Sequence, residues 1–252
     1  MKTYLIDLDG TMYRGEQCID GAIPFINYLL SNNMPFLFVT NNATRTRKQN
    51  VEHMERLGFQ GIKEEHFYTS SIAAAKYMKK HSQKRKAWFI GKKGLEEALI
   101  QEGFQITEDH PDFVFVGLDV EGTYDLYSKA LRFLLNGAKL VGTNADRRLA
   151  SNDGYIIGNG SVIRMLEYAS GQESEKIGKP YAPMLEGVLD YLQLSKEDVI
   201  IIGDNLETDI SLGTQHGVET IFVTSGVHQK SDCEKLQIFP TYKIDNLKEL
   251  IK

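Results

Sequence analysis

The stretch that decides the fold is Thr3-Tyr4-Leu5-Ile6-Asp7-Leu8-Asp9-Gly10-Thr11. It opens with apolar residues that do not alternate with polar ones, which is typical of a strand buried on both faces of a parallel sheet. Asp7 and Asp9 stand two positions apart, so on an extended backbone they point to the same side. Gly10 permits a sharp turn directly afterwards. We therefore expect a buried strand that delivers two carboxylates to one edge of a sheet.

Short apolar runs alternate with helical patterns along most of the chain. Strands are predicted at 3–8, 35–40, 112–117, 138–142, 198–202 and 218–223. Helices are predicted at 22–32 and 45–57, the second ending at Gly58, which suits a C-terminal cap. This rhythm predicts an α/β fold with a Rossmann-like, mainly parallel sheet flanked by helices.

Polar residues follow three of the predicted strands at the point where each strand ends. They are Asp7, Thr40 and the pair Gly203-Asp204. In open parallel sheets the active site lies beyond the carboxyl ends of the strands. The sequence therefore predicts that these residues share one edge of the sheet.

The first acidic pair indicates a cation. Like charges as close as Asp7 and Asp9 are unfavourable unless a cation or a shared proton relieves them. Mg²⁺ takes oxygen ligands and keeps positions for a phosphate. The alternatives are an ordinary Asp-rich turn and a calcium loop, and the EF-hand pattern fails because its twelfth position is Cys18.

The second acidic cluster, 203–209, follows an apolar run. Asp204 stands at the predicted strand end, where it could ligate the cation, and Asp209 stands in the first turn of the next helix, where it could support the cation. The alternative is N-capping, because acidic residues favour the start of a helix.

Two further motifs are weak when taken alone. Thr40-Asn41-Asn42 offers a hydroxyl and main-chain amides that suit a phosphate, and it is also ordinary turn chemistry. Lys179 precedes Pro180 and, in isolation, is best explained as a surface residue.

Taken together, the motifs match in order those of the haloacid dehalogenase superfamily. The matching residues are Asp7-x-Asp9-Gly10-Thr11, Thr40-Asn41-Asn42, Lys179 before Pro180, and Gly203-Asp204-x-x-x-x-Asp209. Within it the chain resembles the NagD-type phosphatases, which include 4-nitrophenylphosphatase-like and acid sugar phosphatase proteins. The resemblance spans essentially the whole chain.

The resemblance implies a catalytic assignment. Asp7 would be the nucleophile that forms an aspartyl-phosphate, and Asp9 the general acid and base. Lys179 would offset the charge on the nucleophile and the phosphate. Mg²⁺ would be held by the Asp7 carboxylate, the Asp9 main-chain carbonyl and Asp204, with Asp209 touching the ion or supporting a ligand.

The resemblance also implies where the substrate binds. Thr40 and the Asn41 amide, with Asn42 beside them, would hold the phosphoryl oxygens. An inserted α/β cap of the C2 type would cover 79–178 and leave 1–78 and 179–252 as the core. A large cap excludes bulky substrates, which favours small metabolites.

One loop of the predicted cap is a candidate for substrate selectivity. It runs from Thr143 to Arg148 and contains Asn144, Asp146 and Arg147, with 158–161 nearby. Arg147 or Arg148 could bind a substrate carboxylate through two hydrogen bonds, as an acid sugar phosphate would require. A pair of solvent-facing loops is the alternative.

Composition excludes several other classes. The chain has 252 residues and a formal net charge of −5, which gives no basic face for nucleic acid. We expect no membrane span, because no run approaches about 18 apolar residues, and no signal peptide. Two distant cysteines favour a reducing cytoplasm. We expect a monomer or a cap-mediated homodimer.

Several functions stay open beside hydrolysis of sugar or acid-sugar phosphates. Nucleoside monophosphates and pyridoxal phosphate are alternative substrates of the same fold. A phosphomutase is a further alternative, and a non-catalytic protein that binds phosphometabolites is a distant one. Dehalogenases of this superfamily generally lack the second acid, here Asp9, and its ATPases need membrane helices.

Overall fold

The computed structural model describes residues 2–151 and 154–252. Contacts divide the chain into two compact units. Unit 1 contains Met1–Thr40, Arg47–Tyr68 and Val188–Lys252. Unit 2 contains Asn41–Thr46 and Thr69–Gly187.

The secondary structure alternates between strands and helices along the chain. The strands are β1 Thr3–Ile6, β2 Tyr13–Arg14, β3 Gln17–Cys18, β4 Phe36–Thr40, β5 Phe67–Thr69, β6 Lys86–Ile90, β7 Gln105–Ile106, β8 Phe113–Val116, β9 Lys139–Gly142, β10 Arg148–Ser151, β11 Gly154–Ile157, β12 Val199–Gly203, β13 Glu219–Val223 and β14 Tyr242–Ile244. The α-helices are α1 Ala22–Ser31, α2 Arg47–Arg56, α3 Ser70–His81, α4 Lys93–Gln101, α5 Tyr124–Leu135, α6 Asn159–Ser170, α7 Ala182–Leu192, α8 Ser211–His216 and α9 Asp232–Leu236. Short 3₁₀ turns cover Glu64–His66, Lys196–Asp198 and Leu247–Leu250, and a π-helical turn covers Leu206–Ile210.

Unit 1 is built on a six-stranded sheet in the order β14-β13-β12-β1-β4-β5. Strand β1 lies in the centre and pairs in parallel with β12 and β4. Ile6 lies opposite Ile202 on one side and Phe38 on the other, so the three strands end at the same edge of the sheet, where β12 extends one residue and β4 two residues beyond the end of β1. All residues of β4 and β12 are buried, as expected for strands covered on both faces.

Helix α1 shows why helices cover this sheet. Its buried residues are Ala22, Phe25, Ile26 and Leu29, a spacing that puts one apolar stripe on one face of the helix. They belong to the same core cluster as apolar residues of β1, β4 and β12. Each large side chain buried in this way contributes about 1.5–3 kcal/mol.

Unit 2 has its own parallel sheet of four strands in the order β7-β6-β8-β9. A separate core joins Trp88, Val114 and Leu140 of this sheet to Leu134 of α5 and Leu166 of α6. The antiparallel hairpin β10–β11 forms a sheet of its own.

The predicted fold class is confirmed, with small differences at element ends. The second predicted helix, 45–57, begins only at Arg47. The reason is a local turn, because the Asn42 side-chain oxygen accepts hydrogen bonds from the main-chain N–H and the hydroxyl of Thr44. Strands β2, β3, β5, β6, β7, β10, β11 and β14 were not predicted, and all of them except β6 have four residues or fewer.

The predicted division into a core of 1–78 and 179–252 and a cap of 79–178 stays a prediction. Basic residues at and after the end of α3 are paired with acids, as in a surface segment: Lys79 with Glu102 and Lys84 with Asp112. Within the described residues, no helix is both long enough and apolar enough to span a membrane.

Candidate active site

Three buried carboxylates form a cluster in unit 1. Asp7, Asp204 and Asp209 each offer an oxygen atom, and these atoms all lie within 4.8 Å of one another. The exposed fractions are 8% for Asp7, 0% for Asp204 and 1% for Asp209. Sequence reasoning placed the same three acids at a predicted metal site.

The sheet brings two of these acids together. Asp7 follows β1 directly, and its N–H donates to the Ile202 carbonyl of β12 over 2.9 Å. Asp204 follows the last residue of β12. Because β1 and β12 are parallel neighbours in register, the residues that follow them emerge at the same edge.

Asp209 reaches the cluster from the π-helical turn. The Asn205 side chain accepts a hydrogen bond from the Glu207 N–H over 2.9 Å and so starts this turn. The Asn205 N–H in turn donates to Asp209 Oδ2 over 3.1 Å. The Asp209 carboxylate therefore both bonds an N–H group at the start of this turn and lies in the cluster, so N-capping and support of a cation both stay open for Asp209.

Donors hold both oxygens of the Asp204 carboxylate. The Thr11 hydroxyl donates to Oδ1 over 2.9 Å, and the Val227 N–H donates to Oδ2 over 2.7 Å. Thr11 also lies 3.5 Å from Asp7 Oδ2. The orientation of this carboxylate is therefore set from two separate loops.

Glycines allow the backbone to approach these acids closely. A Cβ atom built on Gly10 or on Gly226 would collide with the Asp204 carboxylate, and one built on Gly203 would collide with that of Asp209. Gly10 also has a φ of 101°, a conformation that favours glycine. These positions therefore require glycine.

The donor set fits a divalent cation. Three carboxylates packed this closely repel one another unless positive charge is present, and oxygen atoms are the ligands that hard divalent cations prefer. The Asp9 side chain is exposed and is not part of this cluster among the described residues. The contact predicted for Asp9 uses its main-chain carbonyl and stays a prediction.

Asp9 lies on the turn that leads from β1 into the hairpin β2–β3. It forms a backbone bridge with Tyr13, and the Gly10 N–H donates to the Tyr13 carbonyl over 2.8 Å. Tyr13 itself is almost fully buried. A buried anchor thus fixes a turn whose acid is accessible to solvent.

Thr40 is the last residue of β4 and is buried. Strand β4 is the other parallel neighbour of β1, with Ile6 opposite Phe38. Thr40 therefore ends its strand at the edge of the unit 1 sheet where Asp7 follows the neighbouring strand.

A second group of predicted residues is brought together in unit 2. The Asn41 side chain donates to Asp146 Oδ1 over 3.1 Å and to the Lys179 carbonyl over 3.1 Å, and it accepts from the Lys179 N–H over 2.8 Å. The main-chain oxygen of Asn41 accepts from the Asn144 side chain over 2.8 Å and from the Ser70 hydroxyl over 2.7 Å. Asn41, Asn144 and Lys179 are buried.

The remaining predicted substrate residues have local roles. The side-chain oxygen of Asn42 forms the turn with Thr44 described above. Arg147 is exposed, and its carbonyl accepts from the Ser161 hydroxyl. Arg148 stacks its guanidinium over the Tyr155 ring at 4.5 Å from the ring centre.

Sequence reasoning missed both donors to Asp204, since Thr11 was noted only as part of the first motif and the segment that ends at Val227 was not singled out. Ser225 and Gly226 follow β13, another strand of the unit 1 sheet, and Val227 comes next. The signal that could have identified this segment was a Ser-Gly pair shortly after a predicted apolar strand. Thr40 was identified in a similar way, as a polar residue at the point where an apolar strand ends.

Comparison with known families agrees with this geometry. A family model described as haloacid dehalogenase-like hydrolase matches residues 4–105, and a HAD-hydrolase-like model matches residues 176–250. The chain belongs to the haloacid dehalogenase-like hydrolases. The predicted family membership is therefore confirmed.

Relatives with named activities cover nearly the whole chain. An acid sugar phosphatase of Staphylococcus epidermidis is 39% identical over 247 residues, which are 98% of this chain and 95% of the relative. A 4-nitrophenylphosphatase of Thermotoga maritima superimposes with a TM-score of 0.92 at 27% identity and covers 100% of this chain and 96% of its own. NagD of E. coli gives a TM-score of 0.90 at 30% identity, with 99% and 98% covered.

These relatives confirm the predicted NagD-like branch and the predicted enzyme class. This haloacid dehalogenase-like hydrolase is a phosphatase.

Proposed function

We propose that this hydrolase cleaves small phosphomonoesters, among them sugar or acid-sugar phosphates, and takes 4-nitrophenyl phosphate as a model substrate. The observation that carries the proposal is the buried cluster of Asp7, Asp204 and Asp209. Relatives named acid sugar phosphatase and 4-nitrophenylphosphatase support the substrate class.

Mg²⁺ is the proposed cofactor. Asp7, Asp204 and Asp209 would hold it through carboxylate oxygens, together with the main-chain carbonyl of Asp9. A hard cation with oxygen ligands suits this donor set. When bound, it would offset the negative charge that the carboxylates and the substrate phosphate bring together.

The proposed chemistry uses the two acids of the first motif. The Asp7 carboxylate attacks phosphorus and forms an aspartyl-phosphate, while the ester oxygen leaves with a proton from Asp9. Asp9 then takes a proton from the water that attacks the aspartyl-phosphate, which releases phosphate and regenerates Asp7. The burial of Asp7 and the exposure of Asp9 agree with these different tasks.

Other predicted residues would bind the substrate. Thr40 and the main-chain amide of Asn41, with Asn42 beside them, would hold phosphoryl oxygens, and Lys179 would offset their charge. The loop residues Asn144, Asp146 and Arg147 are proposed to contact the remainder of the substrate.

A cytoplasmic enzyme that acts as a monomer or as a cap-mediated homodimer is proposed. The two cysteines, Cys18 and Cys233, are free thiols, which suits a reducing compartment. Nucleoside monophosphates and pyridoxal phosphate stay as alternative substrates, and a phosphomutase as an alternative reaction.

The test is hydrolysis of 4-nitrophenyl phosphate by the purified protein with excess Mg²⁺ and after metal removal, beside an Asp7→Asn variant. The matched control is Asp125→Asn, which alters an exposed acid at the start of α5. We expect turnover that requires the metal and falls by about 10³-fold or more in Asp7→Asn, because the nucleophile is lost. The control should keep the wild-type rate.

Two results would contradict the proposal. Equal activity of Asp7→Asn and wild type would show that Asp7 is not the nucleophile. Phosphate release that is unchanged after metal removal would refute the cofactor. Once the class is established, a panel of sugar, acid-sugar and nucleoside monophosphates would rank the substrates by kcat/KM.

A further inference from the structure

An arginine on the hairpin β2–β3 contacts a loop far along the chain. The Arg14 guanidinium donates from one nitrogen, Nη2, to the Ser225 carbonyl and, over 3.0 Å, to the Gly226 carbonyl. Arg14 is exposed, and the segment 225–227 follows β13 within unit 1. Hydrogen bonds from a charged donor are stronger than those between neutral groups, so this is a firm attachment.

The same segment is attached a second time, to the turn of the first motif. The Ser225 hydroxyl donates to the Gly10 carbonyl over 2.8 Å. Gly10 is the residue that follows Asp9. The segment is therefore held both by Arg14 and by the turn that carries Asp9.

The end of this segment fixes the position of one carboxylate oxygen of Asp204, a member of the cluster of three acids. The Val227 N–H donates to Asp204 Oδ2 over 2.7 Å, while the Thr11 hydroxyl holds Oδ1 over 2.9 Å. The neighbouring Gly226 packs so closely on Asp204 that a Cβ atom would collide with the carboxylate. The Val227 N–H and the Thr11 hydroxyl thus hold different oxygens of the Asp204 carboxylate.

We propose that Arg14 is a positioning residue, which sets the Asp204 carboxylate for cation binding by holding the segment 225–227 against it. The proposal rests on the proposed function, since it assumes a cation at the cluster of Asp7, Asp204 and Asp209. Arg14 acts on the cluster indirectly, through its hydrogen bonds to the Ser225 and Gly226 carbonyls.

The physical reason lies in the orientation of a ligand. A carboxylate whose oxygens are both bonded cannot rotate freely, so less freedom is lost when a cation binds. Groups that hydrogen-bond to a metal ligand and orient it typically contribute to metal affinity, which falls by about 10–100-fold when they are removed. Lysine would be a poorer substitute, because its ammonium group is a flexible point charge without the planar arrangement of donors.

The test uses Arg14→Met and Arg14→Lys, with Arg164→Met as the matched control. Arg164 is an exposed arginine of α6 that pairs with Glu167 in unit 2. Two quantities are measured on the metal-depleted full chain: the Kd for Mg²⁺ by calorimetric titration, and the exchange rate of the Val227 amide hydrogen by NMR. Neither depends on catalytic turnover.

We expect Arg14→Met to raise the Kd for Mg²⁺ about tenfold or more and to accelerate Val227 amide exchange. Arg14→Lys should lie between Arg14→Met and wild type, and Arg164→Met should match wild type in both quantities. Wild-type Kd and wild-type Val227 exchange in Arg14→Met would overturn the proposal.

Arg14→Gln provides a second route should Arg14→Met fail to fold. It keeps a polar side chain at this exposed position and removes the guanidinium that bonds the Ser225 and Gly226 carbonyls. A raised Kd with faster Val227 exchange supports the proposal, and unchanged values contradict it. Failure of wild type itself to bind Mg²⁺ would instead refute the proposed cofactor, and Val227 exchange without metal would still decide whether Arg14 holds the segment.

Discussion

The carboxamide of Asn41 bonds both main-chain groups of Lys179. Its Oδ1 accepts the Lys179 N–H over 2.8 Å, and its Nδ2 donates to the Lys179 carbonyl over 3.1 Å, across 138 positions of sequence. The same Nδ2 donates to Asp146 over 3.1 Å. One side chain of the second motif thus fixes the backbone of the motif lysine and a residue of the predicted selectivity loop.

This arrangement predicts that Asn41→Ala lowers both stability and turnover. A buried Lys179 N–H left without its acceptor costs about 1–3 kcal/mol. Displacement of the lysine by about 1 Å can lower kcat by about 10²-fold. Thermal unfolding and steady-state kinetics are the measurements.

The matched control is Asn27→Ala, which alters an exposed asparagine within α1. It should change stability by no more than about 0.5 kcal/mol. A wild-type melting temperature for Asn41→Ala would show that the bonds to Lys179 do not stabilise unit 2.

Thr11→Val tests the donor to Asp204 Oδ1. The substitution keeps the shape of the side chain and removes the hydroxyl that lies 2.9 Å from this oxygen. We expect the Mg²⁺ concentration for half-maximal activity to rise about tenfold or more, because the ligand loses a group that orients it. Thr11→Ser keeps the hydroxyl and should stay close to wild type; equal defects in both variants would implicate packing instead.

Gly226→Ala tests the close approach of the backbone to Asp204. The added methyl group would collide with the carboxylate, so we expect the carboxylate to be displaced and metal-dependent activity to be lost. Gly171→Ala is the comparison, because a Cβ atom there meets open space and only the φ of 70° opposes it. Gly171→Ala should cost about 1 kcal/mol of stability and leave kcat unchanged; an active Gly226→Ala enzyme would contradict the need for close approach.

The contacts of the Asp20 carboxylate should make the free energy of unfolding depend on pH. A hydrogen bond from Lys248, and a further one from Asn246, hold the pKa of Asp20 below the ordinary value of an aspartate. A carboxylate whose pKa is lowered by folding stabilises the folded state above its unfolded pKa of about 4 and loses this effect as the pH falls through the folded pKa.

Asp20→Asn should therefore melt below wild type at neutral pH, and the difference should shrink as the pH falls below about 4. The difference should be small, because the pair is exposed to solvent. Melting temperatures of both proteins between pH 2.5 and 7 check the sign. A difference that grows towards acid would be the opposite result.

Several features of the fold and the site could be predicted from the sequence because they depend on local patterns. Buried parallel strands need continuous apolar runs, and these runs located β1, β4, β8, β9, β12 and β13 to within one or two residues. The acids at the ends of β1 and β12 could be expected to meet, since parallel neighbours end at one edge of the sheet.

Short elements escaped prediction because they carry too few residues for a periodic pattern. Strands β5 and β14 have three residues each, and the π-helical turn that directs Asp209 into the cluster has five. Their positions depend on neighbours that the local sequence does not specify.

The amino-acid sequence by itself determined the parallel α/β fold, the family and the acids Asp7 and Asp204 at neighbouring strand ends. Only the tertiary structure decided which groups orient those acids and the motif lysine. The Arg14 contacts with Ser225 and Gly226 join positions more than 200 residues apart, and Asn41 meets Lys179 across 138. Such contacts require main-chain carbonyl and amide groups to have particular orientations. These orientations depend on strand register and on the path of the loops, which a one-dimensional pattern of residue types does not encode.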